Sequence, residues 1–179
     1  MRTIPATAFV LLQIMLSPWQ ALSAAEQSKP NTETAIRGRY DSMKVAMAAH
    51  DSKAVARLLA PGFESEEVDS SVEGADQMLS KVRAIPDDPH RKSNTTILSI
   101  ARHGDAATVV QQFQMTTIKS QAGSPDQAVE LVANSTDMWI LVKGVWLLKR
   151  TVTNEIQYKV DGREVVHKLH TPHSAASGA

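Results

Sequence analysis

From Thr95 to about Val160 the apolar residues recur at nearly every second position. A period of two is the mark of strands with one buried face, and a helix cannot satisfy it. The run is interrupted by turn formers, at His103-Gly104-Asp105 and at Lys143-Gly144, and Asp161-Gly162 follows it. Strands joined by such short connections pair antiparallel, so this half of the chain predicts a meander. Two strands flank the first turn, "SQAGSPDQ" forms a loop, and two further strands flank Lys143-Gly144.

The preceding half has the helical period. Ile36, Tyr40, Met43 and Met47 fall at spacings of four, three and four, which predicts a helix from about Thr34 to Ala49. His50 and Asp51 break it, and Asp51 or Ser52 can cap a second helix over "DSKAVARLLA", with Val55, Leu58 and Leu59 inward. "PGF" ends that helix, and "ESEEVDSSVEG" reads as a short extended piece or loop. "GADQMLSKVRAI" is a third helix whose apolar face is Met78, Leu79, Val82 and Ile85, and "PDDPHRKSN" is a turn-rich linker. Helices followed by a meander make an α+β domain.

Composition narrows the function. Lys+Arg and Asp+Glu are equal at 19 each and aromatics are 4%, which gives neither the basic footprint nor the stacking platform that nucleic acid requires. Cysteine is absent, so disulfides, thiolate metal sites and a cysteine nucleophile are excluded. Residues 1–25 combine Arg2, the apolar stretch "IPATAFVLLQIML" and the small-residue end "SPWQALSAA". That is the pattern of a secretory signal peptide, and the run is too short to span about 30 Å of hydrocarbon comfortably. The expectation is an exported protein, periplasmic or secreted, with no membrane attachment after cleavage. Residues 26–33 form a flexible leader, 34–166 the folded domain and 167–179 a disordered tail. His167, His170 and His173 recur every three residues in that tail, but Pro172 interrupts any helix, so no metal site is expected, nor any cofactor.

Three phrases in order, "AAHDSKAVARLLAPGF", "RHGDAATVVQQF" and "STDMWILVKGVWLLKR", resemble the nuclear transport factor two-like superfamily, which includes ketosteroid isomerase and the SnoaL-like polyketide cyclases. The resemblance covers residues 34 to 160. It implies a cone-shaped, strongly curved, mainly antiparallel sheet of four to six strands wrapped around about three N-terminal helices, with an apolar pocket at the wide end. A shared fold does not carry a shared reaction.

The likeness to ketosteroid isomerase also implies where chemistry would lie. Its proton shuttle is a carboxylate, opposed by a tyrosine and a protonated aspartic acid. The tyrosine position matches Met43 here, with Tyr40 one turn earlier on the same face; the base falls at Glu67, and the aspartic acid at Asp137 when the hairpin is one residue shorter. Tyr40, Glu67 and Asp137 are the candidate catalytic set. The last long strand supplies a candidate ligand-binding set. Trp146, Leu148, Arg150, Val152 and Asn154 alternate onto its more apolar face, and Trp139 lies on the adjacent strand. A buried Arg150 would need a partner, either Asp137 or the carboxylate of a ligand. No Gly-x-Ser-x-Gly phrase and no phosphate-binding glycine loop is present. The sequence therefore favours an exported domain that binds a small hydrophobic or acidic molecule. The alternatives are an isomerase- or cyclase-type enzyme acting by proton transfer, or a module that homodimerises through its sheet.

Overall fold

A computed structural model describes residues 31–120 and 122–172. The expected signal peptide lies outside the described residues, as do residues 26–30 of the leader and 173–179 of the tail. Three helices, α1 (Thr32–Ala48), α2 (Ser52–Ala56) and α3 (Ala75–Arg83), pack against one mixed sheet. Its strands are β1 (Leu59–Glu66), β2 (Val72–Gly74), β3 (Lys92–His103), β4 (Ala106–Lys119), β5 (Gln127–Val142), β6 (Val145–Val160) and β7 (Arg163–Leu169).

The helices end for local reasons. α1 starts at Thr32, inside the expected leader, with Glu33 in its first turn bonded to Arg37 at 2.8 Å. It stops where His50 takes a left-handed φ of 51°. Asp51 then caps α2, accepting the Ala54 N–H at 2.9 Å. α2 is shorter than its residues suggest. The Leu58 carbonyl accepts the Leu148 N–H at 2.9 Å and Leu59 pairs with Leu148, so Leu59 is already a strand residue before Pro61. Strand pairing has overridden the helix propensity of "ARLLA".

The sheet runs β2-β1-β6-β5-β4-β3, and β7 shares an edge of β6 with β1. All neighbours are antiparallel except β1 and β6. Seven strands exceed the four to six expected. β6 is 16 residues long, and its edge beyond β5 would otherwise expose a row of unpaired backbone groups. β1 covers Leu148–Val152 and β7 covers Glu155–Val160. β7 takes in His167 to Leu169, which correct the expected tail: these residues belong to the sheet. Every β7 side chain is exposed, which is why no apolar period announced it. His170 and Thr171 are also fixed, donating from their backbone to Asn154 and Val68 at 2.8 and 3.4 Å.

The helix-facing side of the sheet holds the main core: Ile36, Phe63, Val109, Trp139, Trp146 and Leu148. Ala46, Val55 and Val82 form a smaller cluster where the three helices meet.

Two bulges in β6 control what faces that core. Trp139 pairs with Leu148 but Met138 pairs with Arg150, so Lys149 is an extra residue; Ser135 pairs with Thr153 but Asn134 with Glu155, so Asn154 is another. Each extra residue switches the inward and outward sets. Trp146 and Leu148 face inward, then Thr151 and Thr153, while Arg150 and Val152 face away from the helices.

The Lys149 bulge is held from β1. Lys149 Nζ donates to the carbonyls of Pro61 and Gly62 at 3.1 and 2.5 Å. Gly62 has φ of 65°, and a Cβ there would lie 3.0 Å from Lys149 Nζ. Gly62→Ala therefore combines left-handed strain with displacement of the ammonium, and should lower stability by about 1–2 kcal/mol in a urea melt.

Candidate functional site

The α1 stripe carries Tyr40 to the sheet, where β5 presents Asp137 and Trp139. The Tyr40 hydroxyl donates to Asp137 Oδ2 at 2.5 Å and accepts from Trp139 Nε1 at 3.2 Å. The two rings lie 5.3 Å apart, tilted by 58°, a favourable aromatic arrangement. Asp137 is only 3% exposed. Burial pushes its carboxyl up to about 6, against the hydrogen bonds of Tyr40 and of Thr151 directly across the strand pair, which favour the anion. No hydrogen bond of ordinary geometry reaches Asp137 Oδ1. Burial, and then the Asp137 charge, raise the Tyr40 phenol well above its usual range.

Tyr40 and Asp137 are thus together, but their polar groups are turned towards each other. The single Tyr40 proton goes to Asp137 and the Trp139 N–H goes to Tyr40. An oxyanion site requires donors free to meet the reacting oxygen, and neither donor is free.

Glu67 is not part of this network. It follows β1 at a turn in which Ser70 N–H donates to the Glu67 carbonyl at 2.9 Å. Its carboxylate accepts from Ser65 at 3.5 Å and lines a small cavity of about 280 Å³ with Phe63, Met78 and Thr151.

Arg150 and Asn154 do not face the interior, because the Lys149 bulge reverses the strand. Arg150 is 42% exposed and forms an ion pair with Glu66, which also lies 3.2 Å from His170 Nε2. Asn154 donates to Thr136 at 2.9 Å. Trp139 and Trp146 are 1% and 5% exposed and belong to the core. Neither lines the larger cavity described next.

That cavity, of about 470 Å³, opens between α1, the segment after α3, and strands β3 and β4. Tyr40, Met43, Lys44 and Met47 form its helical wall at spacings of three, one and three, so Lys44 belongs to the same stripe. Phe113 and Met115 come from the inward positions of β4, and Ile85 and Pro86 from the segment leaving α3. The interior is thioether, aromatic and aliphatic, surfaces that adapt to varied apolar shapes. Lys44, His50, Asp87, Asp88 and Arg91 are its charged or ionisable lining residues. Met47 and Ile85 also line the Glu67 cavity, so they stand between the two spaces.

The helical period places Met43 and Met47 on one stripe with Tyr40, and does not single out Lys44, Phe113, Met115 or Arg91 as lining residues. Lys44 was legible as Tyr40 plus four. Phe113 and Met115 were legible from the β4 alternation. Arg91 lies in an aperiodic linker and had no signal.

No family profile matches this chain, and none of the curated proteins compared matches it. Solved structures do. A conserved protein from Planctomyces limnophilus superposes with a TM-score of 0.56 at 16% identity, over 67% of this chain and 92% of its own. An NTF2-like protein of unknown function from Silicibacter pomeroyi gives 0.51 at 15%, over 76% and 98%. An NTF2-like protein from Cytophaga hutchinsonii gives 0.52 at 11%, over 69% and 98%. With its curved mixed sheet and its helices on one face, the chain has the nuclear transport factor two-like (NTF2-like) fold.

Proposed function

We propose that this protein is an exported binding domain that holds a small, mainly apolar molecule in the cavity beneath α1. The observation that carries the reading is a space of about 470 Å³ walled by Met43, Met47, Ile85, Phe113 and Met115. A volume of that order accommodates a small ligand. The reading favours binding over proton transfer, because the Tyr40 O–H and Trp139 N–H are both committed within their own network and Glu67 lines the other cavity. The amino-terminal stretch that resembles a signal peptide supports export.

The test is titration with N-phenyl-1-naphthylamine, a neutral dye that fluoresces in apolar surroundings. The expected result is saturable one-to-one binding, displaced by 1-decanol. Met115→Trp should weaken dye binding at least tenfold, since the indole fills the cavity without entering either core cluster. Undiminished, decanol-sensitive binding in that variant would place the apolar site elsewhere and overturn the reading.

A further inference from the structure

The cavity has an apolar body, and neither cation along its lining is hydrogen-bonded to a carboxylate. Arg91 Nε is buried and makes no hydrogen bond. Its nearest carboxylate oxygen, Asp88 Oδ2, is 3.9 Å away, beyond hydrogen-bond reach. Asp88 is committed elsewhere: Oδ2 accepts from Thr117 at 2.5 Å and Oδ1 from the His90 N–H at 2.9 Å. Asp87 is fully exposed, with His50 Nδ1 at 3.7 Å. Lys44 has no ion-pair or hydrogen-bond partner among the described residues and lies on the wall-forming stripe.

A buried guanidinium N–H without an acceptor is costly, and leaves a strong, directional donor for an incoming anion. Asp88 attracts Arg91 across 3.9 Å without a hydrogen bond to its Nε, and Asp87 is exposed to solvent.

We infer that the ligand is an amphipathic acid. Its carboxylate, or a chemically equivalent monoanionic group, is held by Arg91 and Lys44, and its apolar chain lies against Met43, Met47, Phe113 and Met115. The inference rests on the binding function proposed above and adds the head-group class. It also moves acid recognition from Arg150, which Glu66 neutralises on the opposite face of the sheet, to a residue of the linker before β3.

Displacement of N-phenyl-1-naphthylamine by decanoate and by 1-decanol, at pH 8 and low salt, separates the two claims. Chain length is the same in both probes, so their ratio reports the head group. Decanoate should bind about tenfold or more tightly than decanol, the range expected of a charge-assisted hydrogen bond. Arg91→Gln should remove most of that advantage, weakening decanoate far more than decanol. Lys44→Gln should reduce it by a smaller factor, and Arg91→Lys should keep part of it.

Equal affinities for the two probes in the wild-type protein would overturn the acid inference and leave the apolar site standing. The acid inference also falls if Arg91→Gln weakens both probes alike, or neither. If neither probe displaces the dye, both readings fall.

Discussion

Trp139→Ala should lower the stability of this domain by about 4–5 kcal/mol, at the upper end for truncating a buried aromatic. Three features place it there. The side chain is 1% exposed and is the largest of the fully buried residues. It lies among Ile36, Phe63, Val109 and Leu148, from one helix and three strands, so the surrounding elements cannot all collapse into the space it leaves. Its Nε1 also donates to Tyr40, whose own hydroxyl faces a buried carboxylate. Alanine therefore removes apolar contact and one member of a polar network together. Domains of this size have about 5–15 kcal/mol in total, so the variant should be marginal. A urea melt followed by far-UV circular dichroism should show a midpoint reduced by more than about 1 M, taking a slope of about 1–3 kcal/mol/M. Trp139→Phe narrows the contributions, because it retains most of the packing while losing the N–H and part of the ring; a loss of about 1–3 kcal/mol is expected. A midpoint within about 0.3 M of wild type for Trp139→Ala, with m unchanged, would mean that this indole does not anchor the core.

The tryptophans also show how far sequence reaches. Both were legible as parts of adjacent strands, since Lys143-Gly144 takes the positive φ values that a tight hairpin turn requires, 50° and 80°. The α1 stripe was legible for the same kind of reason: a repeat of three and four specifies a helix face regardless of partners. An uninterrupted period of two along β6 places Arg150 and Asn154 inward, and the two bulges turn them away. A bulge at a lysine leaves no compositional trace; what fixes it is Lys149 Nζ bonding to two carbonyls of β1, a contact between distant parts of the chain. Short α2 and fully exposed β7 escaped similarly, because their boundaries are set by hydrogen bonds to β6 and not by their own apolar pattern. At the candidate site, the resemblance to ketosteroid isomerase led to Tyr40 and Asp137, which do meet. The cavity lining needed the fold, since Arg91 reaches it from an irregular segment.

Asp137→Asn should raise stability at neutral pH and leave it nearly unchanged at pH 4. The sign follows from the direction of the shift. Burial moves the folded-state carboxyl from 3.8 to about 6, so the folded protein holds its proton more tightly than the unfolded chain. The stabilisation this gives is fully present below about 3.8 and is lost as pH rises through about 6. The loss amounts to roughly 3 kcal/mol, taking about 1.4 kcal/mol per pKa unit. Asparagine is nearly isosteric, can accept the Tyr40 hydroxyl through its carbonyl, and turns an amide towards Thr151, so it removes the buried charge while retaining the network. The other perturbed carboxylates have the opposite sign. Hydrogen bonds from Ser71, Thr117 and Asn134 hold Asp69, Asp88 and Glu155 below their ordinary values, and their stabilisation is lost only as pH falls through that lower range. The two windows overlap little, and the difference between variant and wild type isolates Asp137. Paired urea melts from pH 4 to pH 8 should give a variant-minus-wild-type difference that climbs by about 2–3 kcal/mol between about pH 4.5 and 7 and then levels. A difference that stays flat across that interval would mean that Asp137 is ionised throughout, with a donor on Oδ1 in solution. The orphaned oxygen would then be the place to look for a bound water.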